Sequence, residues 1–191
     1  MLAYLKEAGI TDKNGNAPVL HSGNKGQNYP QLINCEGRKT MVSRSEIGCY
    51  ASHYEIWQKV AESDFESVLI LEDDARFQPE FSELIAKWDS LPEWDMLWFH
   101  DKAYSKMPIE RKPVPGFDNL FSGYGYWLTH AYCLTKETAK KLLPLMAVQR
   151  GGLDWQLSQI QKQFKTICVS GDLIYQKKTS FLTSTILHTR I

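Results

Sequence analysis

Glu72, Asp73 and Asp74 are three consecutive acids, and they follow directly on the apolar run Ser67-Val68-Leu69-Ile70-Leu71. Adjacent carboxylates repel: two charges about 4 Å apart interact by roughly 1 kcal/mol in water and by several at a lower effective dielectric. A cation, nearby Arg or Lys groups, a helix N-terminus or full solvation must offset that cost. A hard divalent metal, Mn2+ or Mg2+, is the economical answer, because carboxylate oxygens suit it and it keeps positions open for water and phosphate. The plain alternative is a solvated turn in which one Asp caps a helix. Two more acids follow ordered segments: Asp101 after Met96-Leu97-Trp98-Phe99, and Asp154 after Gly151-Gly152.

The elements that must hold these acids can be read from periodicity. Ser67–Leu71 is apolar on both faces and predicts a buried strand. Ser43-Arg44-Ser45-Glu46 fits a capping box, and Ile47, Tyr50, Ala51, Tyr54, Trp57 and Ala61 continue at helical spacing to about Glu62 or Ser63. Gln78-Pro79 opens a helix bearing Phe81, Leu84, Ile85 and Trp88. Met96–Phe99 and Ile167–Val169 read as strands, and Tyr126–Leu134 as one strand or two. Thr135 caps a helix with Ala139, Leu142, Leu143 and Met146, and Leu153, Leu157, Ile160 and Phe164 form another. Residues 103–118 read as a surface loop, 1–9 as a short helix and 11–40 as loop-rich. Buried strands alternating with amphipathic helices predict one α/β sandwich over residues 1–191. In open α/β sheets, ligands bind beyond the carboxyl ends of the strands, where the acidic triplet would lie.

Composition narrows the function classes. The 191 residues carry 22 Lys+Arg and 22 Asp+Glu, so a strongly basic face for duplex nucleic acid is not the default expectation. No run approaches the roughly 18 apolar residues of a membrane span, and the N-terminus has no signal-peptide pattern. The four cysteines (Cys35, Cys49, Cys133 and Cys168) form no C-x-x-C pair and are expected to be reduced thiols of a cytoplasmic protein.

The stretch Glu46-Ile47-Gly48-Cys49-Tyr50-Ala51-Ser52-His53-Tyr54-Glu55-Ile56-Trp57, followed by Val68-Leu69-Ile70-Leu71-Glu72-Asp73-Asp74-Ala75, resembles the signature of glycosyltransferase family 25. Thr129-His130-Ala131-Tyr132-Cys133-Leu134 and Asp154-Trp155 extend the resemblance over about residues 41–157. It implies a GT-A-like, Rossmann-type sandwich with a central, mostly parallel sheet flanked by helices. It also implies a UDP-hexose donor, usually UDP-galactose, an acidic divalent-metal motif and inversion at the anomeric carbon. By that analogy Glu72 and Asp74 contact the metal, and Asp73 lies near the ribose or the sugar. The family usually begins with an apolar strand and a base-binding loop. This chain starts in or near the helix that follows them, so that strand is expected to be lacking, or to be replaced by residues 16–35.

An inverting transfer also needs a base for the acceptor hydroxyl. Asp154 is the first candidate and Asp101 the second, although Asp154 would equally serve to cap a helix. Ser52 and His53 are candidates for the donor side, where His53 would bond the diphosphate or orient an acid. His188 is a candidate third metal ligand, as in many GT-A enzymes. Phe121-Ser122-Gly123-Tyr124-Gly125-Tyr126-Trp127 lacks the third glycine of a dinucleotide loop. Its rings suit an acceptor-sugar platform instead, with Tyr124, Tyr126 and His130 on the acceptor side. The expected activity is metal-dependent transfer of hexose to a lipid-linked lipooligosaccharide or lipopolysaccharide glycan in bacteria, at the cytoplasmic face of the inner membrane and in peripheral contact with it. The alternatives are a non-catalytic nucleotide- or glycan-binding relative and a metal-dependent phosphohydrolase.

Overall fold

The computed structural model describes residues 42–102 and 110–177 in full, together with the backbone of 19–21 and 186–190. The helix expected at 1–9, most of the 11–40 segment, Cys35 and the side chain of His188 lie outside the described residues.

The first helix, α1 (Arg44–Glu62), begins at the predicted capping box. Ser43 Oγ accepts the Glu46 N–H at 3.2 Å, and the Glu46 carboxylate accepts the Ser43 N–H at 2.8 Å. Such a cap contributes about 1 kcal/mol. The helix buries Tyr50, His53, Ile56, Trp57 and Val60. It leads to β2 (Ser67–Glu72), numbered after the short strand β1 (Val19–His21). Then follow β3 (Ala75–Phe77), α2 (Phe81–Ala86) and a 3-10 turn at Trp88–Ser90. The helix expected through Trp88 therefore tightens before Pro92, which cannot continue it.

The rest of the chain supplies β4 (Met96–Trp98), β5 (Glu110–Pro113), β6 (Leu120–Tyr124), β7 (Ala131–Thr135), α3 (Lys136–Leu145), α4 (Leu153–Ile160), β8 (Thr166–Val169), β9 (Ile174–Gln176) and β10 (Ile186–Arg190). The main sheet has the order β1-β10-β2-β7-β4-β8-β6-β5, and β3 and β9 form a separate two-stranded ribbon.

The α/β sandwich matches the expected class, but its parallel character is partial. Among the described pairs only β4 and β8 are parallel neighbours, and the others are antiparallel. Because β7 lies antiparallel between β2 and β4, the strands β2, β4 and β8 still point the same way. Their carboxyl ends share one end of the sheet, and Glu72 stands there. Strand β5 corrects the surface-loop reading of 103–118. All four of its residues are exposed, so it carries no alternating apolar signal. Its close approach to β6 depends on Gly123 (φ +157°), where a Cβ would sit 1.8 Å from the Glu110 carbonyl oxygen.

Both faces of the sheet are covered, as a buried strand requires. Val68, Ile70, Met96, Trp98, Tyr132 and Leu134 pack with α1, α3 and α4. Leu69, Leu71, Leu97, Phe99, Ala131 and Cys133 pack with α2 and the ribbon strand β9. Side chains alternate along a strand, so Glu72 falls on the face of Val68 and Ile70, toward α1.

Candidate active site

Cys49, His53 and Trp57 recur every four residues on α1, one above another on the helix face. This stripe meets the end of β2. His53 is fully buried, and its Nε2 lies 3.4 Å from Glu72 Oε1. Thr129 Oγ1 donates to the same oxygen at 2.9 Å. His53 Nδ1 is 2.8 Å from the Tyr132 hydroxyl, which accepts the Trp57 indole N–H at 3.0 Å. The Cys49 thiol, pushed up by burial, also feels the charges of Glu72 and Asp154.

Burial alone would raise Glu72. The nearby His53 ring and the hydrogen bond from Thr129 outweigh it and hold the carboxyl below its ordinary value. For Asp74 the hydrogen bonds from its own backbone and Gln176 do not outweigh the opposing effects. Burial first, and then the charges of Glu72 and Asp73, push it up to about 6. Its Oδ2 accepts from Gln176 Nε2 at 3.3 Å, while its Oδ1 is buried with no hydrogen-bond partner. Arg76 bonds the carbonyls of Asp73 and Ala75. A buried, orphaned carboxylate oxygen beside two more acids fits a hard divalent cation.

Behind the acids the backbone is tight. Leu128 holds φ +71°, an unusual conformation for a branched residue, just before Thr129 and His130. The Glu72 N–H donates to the His130 carbonyl at 2.9 Å, which fixes the strand end.

Other expected site residues fall elsewhere. Ser52 is buried and its hydroxyl donates to the Gly48 carbonyl within α1 at 2.8 Å. Asp101 reaches the carboxyl end of the sheet, but Arg111 binds it at 2.8 Å and Ser170 lies 3.4 Å away. Asp154 lies in the first turn of α4, and its Oδ1 accepts the N–H of Trp155 at 2.7 Å. The acceptor platform is not formed. Tyr126 and His130 are 0% exposed, with His130 stacked on His100 and bonded to the Ile174 carbonyl. Tyr124 lines a groove of about 530 Å3 with Lys112, Lys162 and Lys165. It lies beyond the Ser122–Ile167 pair, toward the amino end of β8 and away from Glu72. The rings read as a platform because aromatic residues serve core and ligand equally well; the positive φ of Gly125 turns the chain inward between Tyr124 and Tyr126. The backbone of His188 pairs with Ile70, two residues before Glu72 in β2.

The helix stripe and the acidic strand end are the two blocks on which the family resemblance rests, and here they are in contact. The sequence model of glycosyltransferase family 25 (LPS biosynthesis protein) matches residues 9–154, more than half of the chain. The chain belongs to glycosyltransferase family 25. Among family 25 relatives, it is 38% identical over 110 residues to a glycosyltransferase 25 family member of Aedes aegypti, covering 55% of this chain and 18% of the relative. It is 34% identical over 108 residues to human procollagen galactosyltransferase 2, covering 53% and 17%. It is 34% identical over 116 residues to a probable inactive glycosyltransferase 25 family member 3 of Bos taurus, covering 57% and 19%. The chain thus spans less than a fifth of the length of these family 25 relatives.

Proposed function

We propose that this chain carries a glycosyl-transfer centre that moves a hexose, galactose first among candidates, from a UDP-sugar to a glycan acceptor. The observation that carries the reading is the buried, unpartnered Oδ1 of Asp74 beside Glu72 and Asp73, at the carboxyl end of the sheet. Family membership supports sugar transfer, and the name of the procollagen galactosyltransferase relative supports galactose. The description of the family model, an LPS biosynthesis protein, supports a lipooligosaccharide or lipopolysaccharide acceptor.

Asp74 and Glu72 would hold a Mn2+ or Mg2+ ion, which when bound supplies positive charge for the departing diphosphate. The remaining steps belong to the chain. Glu72 is held below its ordinary value because His53 lies beside its Oε1 and Thr129 donates to it. Asp73 sits between the two metal-side acids and is assigned to the ribose or the sugar. Asp154, whose charge is felt by the Cys49 thiol, is assigned as the base that removes the acceptor proton in an inverting attack. Asp101 is the weaker candidate, since its carboxylate is held by Arg111.

The test is a transfer assay with UDP-galactose and UDP-glucose, with and without Mn2+, against a lipooligosaccharide acceptor and a procollagen peptide. Metal-dependent galactosylation of the glycan is expected. Galactosylation of the peptide alone would move the acceptor assignment. Release of phosphate from simple esters, without sugar transfer, would favour a phosphohydrolase.

The probable inactive relative gives a second reading its footing: a binding module that holds nucleotide or glycan without turnover. UDP binding with no transfer or hydrolysis of any UDP-hexose would favour it.

A further inference from the structure

His53, Cys49 and Glu72 bring three potential metal-ligating atoms within 4.8 Å of one another. The hydrogen bonds around them determine which role His53 takes. The Trp57 indole nitrogen can only donate, so the bond of 3.0 Å places its hydrogen on the Tyr132 oxygen. Tyr132 is fully buried, and its own O–H then needs an acceptor. His53 Nδ1, at 2.8 Å, provides one. An Nδ1 that accepts carries no hydrogen, so in the neutral ring the hydrogen is on Nε2. That nitrogen finds no well-aligned protein partner, but Glu72 Oε1 is 3.4 Å away. On the other side Thr129 donates to Oε1. The Trp57–Tyr132–His53 chain and the Thr129 hydroxyl therefore face one oxygen. Glu72 Oε2 has no hydrogen-bond partner among the described residues.

We propose that His53 is a positioning residue. The Trp57–Tyr132 pair locks it in the Nε2–H tautomer, and it anchors Glu72 by Oε1 so that Oε2 is presented to the donor complex. The assignment rests on the proposed sugar-transfer site, and it disfavours His53 as a metal ligand. A ligating Nε2 would require Nδ1–H to donate to Tyr132, and the buried tyrosine hydroxyl would then lose its acceptor.

The experiment is 15N NMR of the histidine side chains in the full chain, without metal or donor, for the wild type and Tyr132→Phe. The wild type is expected to show His53 in the Nε2–H form, and Tyr132→Phe to lose that preference. Mn2+ affinity, read by electron paramagnetic resonance in the presence of UDP, should fall about tenfold in Tyr132→Phe and in His53→Ala. His53→Gln keeps a side-chain N–H donor and should recover most of the loss. An Nδ1–H tautomer in the wild type would overturn the proposal. So would a tautomer unchanged in Tyr132→Phe, or failure of His53→Gln to exceed His53→Ala. Stoichiometric Co2+ binding with a thiolate charge-transfer band would instead make Cys49, His53 and Glu72 a metal site, and would also overturn it. A correct tautomer in a chain that binds neither UDP nor Mn2+ would sink the transferase reading and, with it, the role of His53 in that reaction, while leaving the anchoring geometry intact.

Discussion

Gln176 donates to Asp74 across the acidic tip, Nε2 to Oδ2 at 3.3 Å, and the next residue, Lys177, donates its N–H to the Asp74 carbonyl at 2.8 Å. The ribbon of β3 and β9 thus pins the turn that carries the acids. It satisfies one Asp74 oxygen and leaves the other buried and unpaired.

That arrangement sets a pH dependence. Burial and the neighbouring acids raise Asp74 to about 6 in the folded chain, against about 3.9 unfolded. A proton competes with a cation for this carboxylate, so Mn2+ affinity should rise from pH 5 to pH 7 and then level off. Asp74→Asn should bind Mn2+ at least about tenfold more weakly and lose the pH dependence. The sign for stability is opposite. The folded state holds the proton more tightly, so stability falls as pH rises from about 4 to 6. Without metal at pH 7.5, Asp74→Asn should therefore melt higher than the wild type, as read by calorimetry.

Glu72 is the charge that Thr129 and His53 both face. Glu72→Gln keeps the volume but brings an amide with its own hydrogens to donors already aimed at an acceptor. Transfer from UDP-galactose should drop by about a hundredfold or more, since a metal-side charge is worth several kcal/mol in the transition state. The circular dichroism spectrum should stay that of the wild type.

His100 controls a different window. Burial, with the adjacent His130, lowers it to about 3, while in the unfolded chain it titrates near 6.5. Between those values the unfolded state binds the extra proton, so stability is lost as pH falls from about 6.5 toward 3. An NMR titration should find His100 neutral at pH 5, and the chain should unfold more readily in urea at pH 4.5 than at pH 7. A ring that charges at pH 6 in the folded protein would contradict this.

Gly123→Ala should detach the β5 edge. The new Cβ would meet the Glu110 carbonyl at 1.8 Å, and backbone on both sides must shift. A loss of about 2–4 kcal/mol is expected from denaturant curves, in the upper range for single substitutions. Gly116 also has a positive φ but open space around its Cβ, so Gly116→Ala should cost less.

Much of this architecture was legible in the residues. The capping box at Ser43 and Glu46 fixed the start of α1, and the apolar run before Glu72 marked a strand covered on both faces. Strand direction was not legible, because a fully apolar run carries no sign of its neighbour's orientation. Within the site, the acids and His53 could be picked out, whereas the roles of Cys49, Trp57, Thr129 and Tyr132 could not. The four-residue spacing of Cys49, His53 and Trp57 is a signal for one helix face. Their partners Thr129 and Tyr132 come from a strand start 57 and 75 residues away in sequence from Glu72 and Trp57, and only the pairing of β2 with β7 brings them in.

The most direct test of the central claim, that a divalent cation shared with a diphosphate balances the charge at Glu72 and Asp74, is calorimetric titration of the chain with UDP in the presence and absence of Mn2+. Saturable UDP binding that requires Mn2+, and that is lost in both Glu72→Gln and Asp74→Asn, is the predicted result. UDP binding of equal strength without the metal, or none with it at millimolar concentrations, would contradict the account.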